Sequence, residues 1–445
     1  MKKIVITLIV IFTSTAQAQI TLKECIMSGL NNKPNLNSLK SQVYLANLKS
    51  IENKAKYLPQ ISLAYDYRYN PIIQTQIVPV GQFNPIPSDE TRAIQFGTDW
   101  QQNAGITFYQ PIIDFVIQSR IKESKISASI SKNDLKKEQL DLNYEITKCY
   151  SQIINDGYRI EEAIADTIRS YKSYLIIKSR YKEGKVLKTE LNNALINHNT
   201  NVINYKKAFA ALVNEKIFLH YLTNIKIERI LEEKFNPINE EFYNNISNLD
   251  NVILDSLPEY EKLNIREKLV KQQIKTERNK LTPSIGFSGF IGANQYSQTL
   301  EPFKDNSWFG NSYIGLSVKL PVFSAEKSIN GGKQLNTQLL IIDDEKKELK
   351  SSKNKDLMKN KINVDRLKNE ISILESSLLL KQENIKLFQD QLNNGQESSY
   401  NLNIQELELQ KLSSQLMQLK EELNHEIING LYISGNLSVN LKSLK

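Results

Sequence analysis

The sequence predicts a mixed α and β protein that is mostly α-helical, built from an internally duplicated unit. Glycine and proline are sparse, at 16 and 12 of 445 residues, which favours long helices over turn-rich β structure. Apolar residues recur at steps of three or four over very long segments, the period of a helix. Four shorter segments instead alternate apolar and polar residues with a period of two, the period of a strand. No apolar run reaches the ~18 residues of a membrane-spanning helix, which excludes a multispan helical membrane protein.

The first 18 residues have the features of a secretory signal peptide. Lys2 and Lys3 precede a short apolar stretch over 4–12, and Ala16-Gln17-Ala18 fits the small-residue cleavage pattern. The alternative, a core strand, is disfavoured by this basic start and small-residue end. We therefore expect an exported chain that begins at Gln19 after cleavage.

The charge pattern and the few metal-binding residue types exclude several functions. The net charge is +8, but lysine and glutamate are mixed along the predicted helices, as in 136–138 and 345–348. Mixed charges indicate solvated helix faces, so no nucleic-acid partner is expected. With three histidines and two cysteines, a Cys/His metal cluster is excluded, and no metal or cofactor is expected. In an oxidising compartment Cys25 and Cys149 form either one disulfide or two free thiols.

Matching landmarks in the two halves of the chain predict a duplication. Pro34 and Pro59 are separated by the same interval as Pro258 and Pro283, and each pair brackets a helical pattern. Further landmarks follow in the same order in each half, namely Gln110-Pro111 and Gly184, then Leu320-Pro321 and Gly395. We therefore predict a first repeat over 19–230 and a second over 231–445.

Each repeat contains two predicted strands, at about 60–70 and 102–111 and at about 284–292 and 313–321. In the first of these, Ile61, Leu63 and Tyr65 alternate with serine, alanine and aspartate. A length of about ten residues suits a tilted membrane-spanning strand, and the aromatic enrichment is typical of interfacial girdles. Soluble hairpins packed on a helix are the alternative. The connecting segments 70–99 and 293–312 have the composition of loops.

Four strands alone cannot close a barrel with a lumen. Backbone groups within a membrane must all be paired, so an open sheet edge is forbidden there. Membrane-spanning strands would therefore have to be pooled between copies of the chain. Three copies would supply 12 strands, an even number as in known barrels.

The predicted helices are too long for an ordinary globular domain, in which helices average ~11 residues. They form two hairpins, at about 116–222 and 325–431, and the segment 116–180 alone would extend about 100 Å. Reversals are predicted near Gly184 and Gly395, where glycine permits a left-handed conformation. Stripes that merely face the core of a bundle are the alternative to coiled-coil packing. The clearest coiled-coil seam comprises Leu409, Leu412, Leu416, Leu419, Leu423 and Ile427.

In this order and duplicated, these segments resemble the TolC family of outer-membrane efflux and secretion channels. The resemblance covers about 20–435 and rests on short segments. They are Ile20 to Cys25, Asn31-Asn32-Lys33-Pro34, Ala55 to Pro59, Gln110 to Asp114, Leu320 to Phe323, Tyr181 to Gly184, and Leu431 to Gly435. It implies a homotrimer, with a 12-stranded barrel in outer-membrane lipid and an α-helical periplasmic tunnel. It also implies two partners, a periplasmic adaptor (a membrane fusion protein) and an inner-membrane pump that supplies the energy.

The resemblance also points to candidate site residues at the periplasmic tips. In the family, side chains just after the tip glycine form a gate, and some of them are acidic. Glu190 follows Gly184 at such a position, although a solvated surface glutamate is the alternative. The second repeat lacks the acidic pair, so a gate of Leu392, Asn401 and Asn403 beside Gly395 is the substitute hypothesis. The candidate barrel–helix junction consists of Pro59, Pro111, Pro283 and Pro321.

No sequence feature indicates catalysis. His198, His220 and His425 are isolated, and no HExxH, G-x-S-x-G or phosphate-loop motif is present. Gly286, Gly289 and Gly292 lie in a strand pattern, where they would relieve crowding. The expected function is a passive outer-membrane exit duct for small molecules in a tripartite efflux system. The alternatives are the outer-membrane component of a type I protein secretion system and a soluble periplasmic coiled-coil scaffold.

Overall fold

The computed structural model describes residues 19–80, 85–86, 88–239, 242–243, 254–302, 308–322, 325–393, 399–437 and 441. The predicted signal peptide and Gly395 lie outside this part of the chain. The chain divides into two compact units, and each contains segments from both halves. Unit 1 comprises Met1–Gln42, Ser131–Asn264 and Asp343–Lys445, and unit 2 comprises Val43–Ile130 and Ile265–Ile342. The division into repeats at 230/231 stays a prediction about the sequence.

The structure is mostly helical, and its two longest helices have 68 and 69 residues. Each long helix is followed by a 36-residue helix, so the two long helical hairpins are present. None of the described helices is both long enough and apolar enough to cross a membrane. In chain order the helices are α1 (Leu22–Asn32), α2 (Pro34–Ala55), α3 (Phe115–Lys182), α4 (Lys188–Thr223), α5 (Ile227–Glu232), α6 (Pro258–Asn279), α7 (Ala325–Asn393) and α8 (Ser399–Ser434), with a 3₁₀ turn at Leu254–Ser256.

The four long strands form one antiparallel sheet in the order β1-β4-β5-β6. The central pair joins β4 of the first half to β5 of the second, so the sheet unites the two halves of the chain. In chain order the strands are β1 (Gln60–Tyr69), β2 (Thr75–Val78), β3 (Arg92–Gln95), β4 (Trp100–Ile113), β5 (Ser284–Ser297) and β6 (Trp308–Lys319).

The strands extend further than the sequence pattern indicated. The predicted loop at 70–99 contains a small hairpin, in which Thr75–Val78 pairs with Arg92–Gln95. The predicted loop at 293–312 is strand at both ends, because β5 continues to Ser297 and β6 begins at Trp308. These segments are rich in polar residues, which favour loops when considered locally. Cross-strand pairing decides their conformation, since backbone hydrogen bonding depends little on side-chain polarity.

The largest described core cluster lies in unit 1, where α1 packs against α3 and α4. Gly29 permits this approach, because a Cβ there would lie 2.6 Å from Ile146 Cδ1. Tyr150 Oη lies 2.8 Å from both the Ile20 and the Asn236 carbonyl oxygens. Cys25 and Cys149 are buried in the same cluster as free thiols. Burial raises the pKa of Cys25 to about 12, so its thiol is unreactive at neutral pH.

Candidate functional site

One face of the four-stranded sheet is apolar. Its apolar residues lie opposite one another in rows, where a row is a set of directly paired residues that runs across the strands. The registers place Leu63 opposite Ile106 and Ile106 opposite Ile291. Directly opposed residues point to the same side of a sheet, so alternate residues of all four strands share this face. The aliphatic side chains of this face on the two outer strands are 68% (Val318) to 79% (Leu63) exposed. The apolar set is Ile61, Leu63, Ile106, Phe108, Ile285, Phe287, Ile291, Ile314, Leu316 and Val318.

The apolar face ends in a row of aromatic residues at the edge far from the helices. Trp100 stacks on Tyr67 with ring centroids 5.2 Å apart and contacts Tyr69 at 4.6 Å. Trp308, on β6, lies in the row that contains Tyr67. The length of β6 from Val318 to Trp308 is about 33 Å at the usual rise per residue. In a barrel whose strands tilt by ~40°, this length would correspond to a height of about 25 Å along the barrel axis. This height equals the apolar band of outer-membrane barrels.

Two glutamines lie on the apolar face within the aromatic row, and their polar groups bond to each other. Gln102 and Gln295 are each only 1% exposed. Gln102 Nε2 donates to Gln295 Oε1 and to the Glu301 carbonyl, the latter at 3.2 Å. Tyr65 Oη donates to Gln102 Oε1 at 2.6 Å. Because this pair is buried and hydrogen-bonded, the exposed surface here consists mainly of aromatic rings.

The opposite face of the sheet carries mostly small and polar residues, together with the aromatic rings of Tyr109, Phe290, Tyr296, Phe309 and Tyr313. Glycines lie beneath its few aromatic rings, since a Cβ at Gly286 would lie 2.5 Å from Tyr109 Cε2. The Phe290 ring covers Gly292 in the same way, so these two glycines relieve crowding as predicted. Gly289 lies on the apolar face, opposite Phe108 and Ile314, and a Cβ there would make ordinary contacts, the nearest at 3.4 Å. The polar members of this face include Ser62, Asp66, Arg68, Asn103, Thr107, Ser288, Asn294, Asn311 and Ser317.

The two outer edges of the sheet are open within the described part of the chain. β1 pairs only with β4, and β6 pairs only with β5. Each outer edge therefore presents a row of backbone N–H and C=O groups that another strand can pair with. The two faces of the sheet therefore differ in polarity, and both of its described edges are unpaired.

The four junction prolines lie where helices and strands meet. Pro59 and Pro283 immediately precede β1 and β5, and Pro321 follows β6. Pro111 lies within β4, where the pairing to β5 shifts register before Ile113. Proline lacks an N–H group and therefore suits strand starts and irregularities. Further contacts stabilise this junction: Tyr57 Oη donates to the Asp114 carbonyl at 2.7 Å, and Asp114 Oδ1 caps α3 by accepting from Ile117 N at 2.9 Å.

At the first tip, Gly184 lies between α3 and α4 with a φ of +72°, the left-handed conformation that glycine favours. Glu190 lies in the first turn of α4 and is partly exposed. At the second tip, Leu392 lies in the last turn of α7, but its side chain is outside the described residues. Asn401 is exposed near the start of α8. Asn403 Oδ1 accepts a hydrogen bond of 3.1 Å from Asn197 Nδ2 of α4.

The Asn197–Asn403 contact begins a ladder of polar contacts that sequence reasoning missed. The ladder joins α8 of the second half to α3 and α4 of the first, within unit 1. Gln410 Nε2 donates to Asn201 Oδ1 at 2.9 Å and also contacts Asp166. Further along α8, Ser413 donates to Glu162, and Glu421 pairs with Arg159. Because the partners are far apart in sequence, no local pattern could have indicated them.

The comparisons with known proteins identify the fold. No protein-family model and no curated protein sequence matches the chain. The crystal structure of the outer membrane protein VceC from Vibrio cholerae aligns with a TM-score of 0.70 and 13% identity, over 93% of this chain and 96% of that one. The Campylobacter jejuni CmeC outer membrane channel aligns at 0.68 and 14%, over 95% and 88%. The Neisseria gonorrhoeae MtrE outer membrane channel aligns at 0.65 and 14%, over 93% and 88%. The chain therefore has the fold of these outer-membrane channel proteins, as the resemblance to the TolC family implied.

Proposed function

We propose that this protein is a channel-tunnel of the outer membrane, a passive exit duct for small molecules in a tripartite efflux system. The observation that carries the proposal is the two-sided sheet. Its apolar face is exposed, about as tall as the hydrophobic band of outer-membrane barrels, and bordered by tyrosine and tryptophan. A soluble protein would bury such a face, because large exposed apolar patches promote association.

The unpaired sheet edges support a homotrimer. A sheet in lipid must satisfy every backbone hydrogen bond, so β1 of one copy is proposed to pair with β6 of the next. Three copies would then close a barrel of 12 strands. The small and polar face would line the lumen, where water replaces lipid.

The resemblance supplies the proposed partners, a periplasmic adaptor and an inner-membrane pump. The helical hairpins would extend into the periplasm and present their tips to the adaptor. A duct of this kind needs no catalytic residue or cofactor, and the pump would select the substrate. CmeC and MtrE are each described as an outer membrane channel, which agrees with this role.

The gate is proposed to involve Glu190 at the first tip and Leu392, Asn401 and Asn403 at the second. The Asn197–Asn403 hydrogen bond supports a part for Asn403, because it links the start of α8 to α4. In planar bilayers, Glu190→Ala is expected to change single-channel conductance or its cation preference. Unchanged conductance together with unchanged adaptor binding would remove Glu190 from the gate.

The first experiment is the mass of the protein extracted by detergent from outer membranes, measured by light scattering with the detergent contribution subtracted. We expect a trimer that forms channels in planar bilayers. A monomer or dimer recovered without detergent would contradict the proposal and favour a periplasmic scaffold. A trimer that co-purifies with a protein-secretion adaptor would reassign the cargo from small molecules to protein.

A further inference from the structure

We propose that unit 2 contains a binding site for a phosphate-bearing anion, in a groove between α2, α3 and α6. The groove has a volume of 420 Å³, enough for a phosphate group with a small organic portion. It lies near the sheet-proximal end of the helices, because Lys56 is only four residues before β1. The lining residues are Ala46, Lys49, Asn53, Lys56, Arg120, Glu123, Ser124, Ser127, Leu269 and Gln273.

The lining of this groove carries an excess of positive charge. Lys49, Lys56 and Arg120 contribute three cations, against the single carboxylate of Glu123 among the described lining residues. Glu123 Oε1 accepts the hydroxyl hydrogen of Thr276, a neutral donor, so the carboxylate keeps its charge but is outnumbered by the three cations. Within the described part of the chain, Lys49 and Arg120 lie on exposed positions and form no ion pair. The cations of the groove are therefore available to an external anion.

Comparison of the two halves shows that this charge is specific to the first half. Asn53 and Lys56 occupy the same positions after Pro34 as Glu277 and Lys280 occupy after Pro258. In the second half, Lys280 Nζ pairs with Glu277 Oε1 at 2.6 Å, so the lysine is neutralised internally. In the first half, Lys56 Nζ instead meets the neutral amide oxygen of Asn53 at 2.8 Å. The lysine keeps its contact but loses its countercharge.

The other two cations are replaced by neutral residues at the matched positions of the second half. Lys49 corresponds to Gln273 after the matched prolines, and Arg120 corresponds to Asn330 after Pro111 and Pro321. A cationic groove is therefore no requirement of the duplicated scaffold. At these matched positions the first half carries three cations and the second half carries one, and the three cations of the first half line one cavity, which points to a ligand.

The donors of the groove suit a phosphate oxyanion. The guanidinium of Arg120 can donate two parallel hydrogen bonds to phosphate oxygens, and each lysine adds a charged donor. The hydroxyl of Ser127 and the amide of Gln273 line the same cavity and can complete the shell. Ser124 also lines the cavity, but it donates its hydroxyl hydrogen to the Ile121 carbonyl at 3.0 Å. Two sources carry this chemistry, a soluble phosphate ester and the headgroup of an anionic phospholipid.

The test measures binding by the full chain, purified in an uncharged detergent, to two probes. Glycerol 3-phosphate represents a soluble ester, and dihexanoyl phosphatidylglycerol represents a lipid headgroup, with affinities measured by titration calorimetry. We expect saturable binding of at least one probe. Tighter binding of the lipid would assign the site to phospholipid, and equal or tighter binding of the ester would assign it to a soluble ligand.

Asn53→Glu is the key variant, because it recreates the internally neutralised pair of the second half. We expect Asn53→Glu and Arg120→Gln each to weaken binding at least tenfold. Lys280→Gln is the matched control, and it should leave the affinity unchanged. Absence of binding by the wild-type chain would overturn the proposal. Unchanged affinity in both groove variants, or an equal loss in the control, would do the same.

The anion-site proposal does not depend on the proposed channel function, and either proposal can be refuted while the other stands. Single-channel conductance of the same preparations tests the channel, whereas calorimetry tests the groove. Circular dichroism confirms that each variant is folded. If Arg120→Gln does not fold, Asn53→Glu alone decides, because Asn53 is a partly exposed helix residue.

Discussion

Arginine substitutions at two adjacent residues of β1 can distinguish a membrane sheet from a soluble one. Leu63 belongs to the apolar face and is 79% exposed, opposite Ile106. Ala64 points to the polar face, opposite Gly105. Both side chains are exposed in one copy of the chain, so in a soluble protein both changes would alter stability by only about 0.5 kcal/mol.

A membrane changes this expectation for one of the two residues. Leu63 lies near the middle of the apolar band, between the row of Val318 and the row of Trp308. Arginine on the lipid face near the bilayer midplane costs about 2–4 kcal/mol. Ala64→Arg would place its charge in the aqueous lumen and should cost less than about 1 kcal/mol. The expected difference between the two variants is therefore roughly 1–4 kcal/mol in each copy.

The assay is unfolding by guanidinium chloride from phospholipid vesicles, followed by tryptophan fluorescence. The chain has only two tryptophans, Trp100 and Trp308, and both lie in the sheet. The signal therefore reports the sheet and not the long helices. Equal free energies of unfolding for Leu63→Arg and Ala64→Arg would refute the assignment of the apolar face to lipid.

Three further predictions concern the packing of both units. Tyr150→Phe removes a buried hydroxyl that bonds the Ile20 and Asn236 carbonyls, and it should lower the free energy of unfolding by about 1–3 kcal/mol in a urea melt followed by circular dichroism. Gly286→Val would place a Cβ against the Tyr109 ring, so little folded trimer should be recovered from membranes, whereas Gly289→Val, in more open space, should assemble better. His425 has a pKa lowered by burial and by Lys148, against the opposing charges of Glu421 and Glu426. Its contribution to stability is therefore full above pH 6.5 and declines as the pH falls towards the folded-state pKa. His425→Gln should flatten that decline in pH-dependent melts, and an unchanged slope would contradict the assignment.

The candidate site was only partly predictable from the sequence. The positive φ of Gly184 and the position of the four prolines at or near strand ends could be anticipated, because a left-handed turn and a missing N–H leave a local signature. Their roles as tip and junction residues stay predictions. The strand ends were misjudged where Asn294, Gln295 and Ser297 have a loop-like composition although they pair with β4. The β2–β3 hairpin was missed for the same reason.

The polar contacts between the halves were not predictable at all. Gln410 and Asn201 are separated by 209 residues, and neither differs locally from an ordinary surface residue of a helix. The cationic groove likewise depends on α2, α3 and α6 meeting in space. A shared binding role for Lys49 and Arg120 can be inferred only from the structure, in which both residues line one cavity.

The sequence by itself determined the helix and strand periods of the chain and the length of its helices, and it predicted a duplication. These are local properties, because side-chain direction along a helix or a strand follows from backbone geometry. Only the tertiary structure decided which rows of the sheet align, which face is continuous and where charges gather. The strand register decides which apolar residues share a face, because a shift of one residue would move every apolar side chain of a strand to the other face. The pairing of Leu63 with Ile106 and of Ile106 with Ile291 therefore turns four separate patterns into one surface.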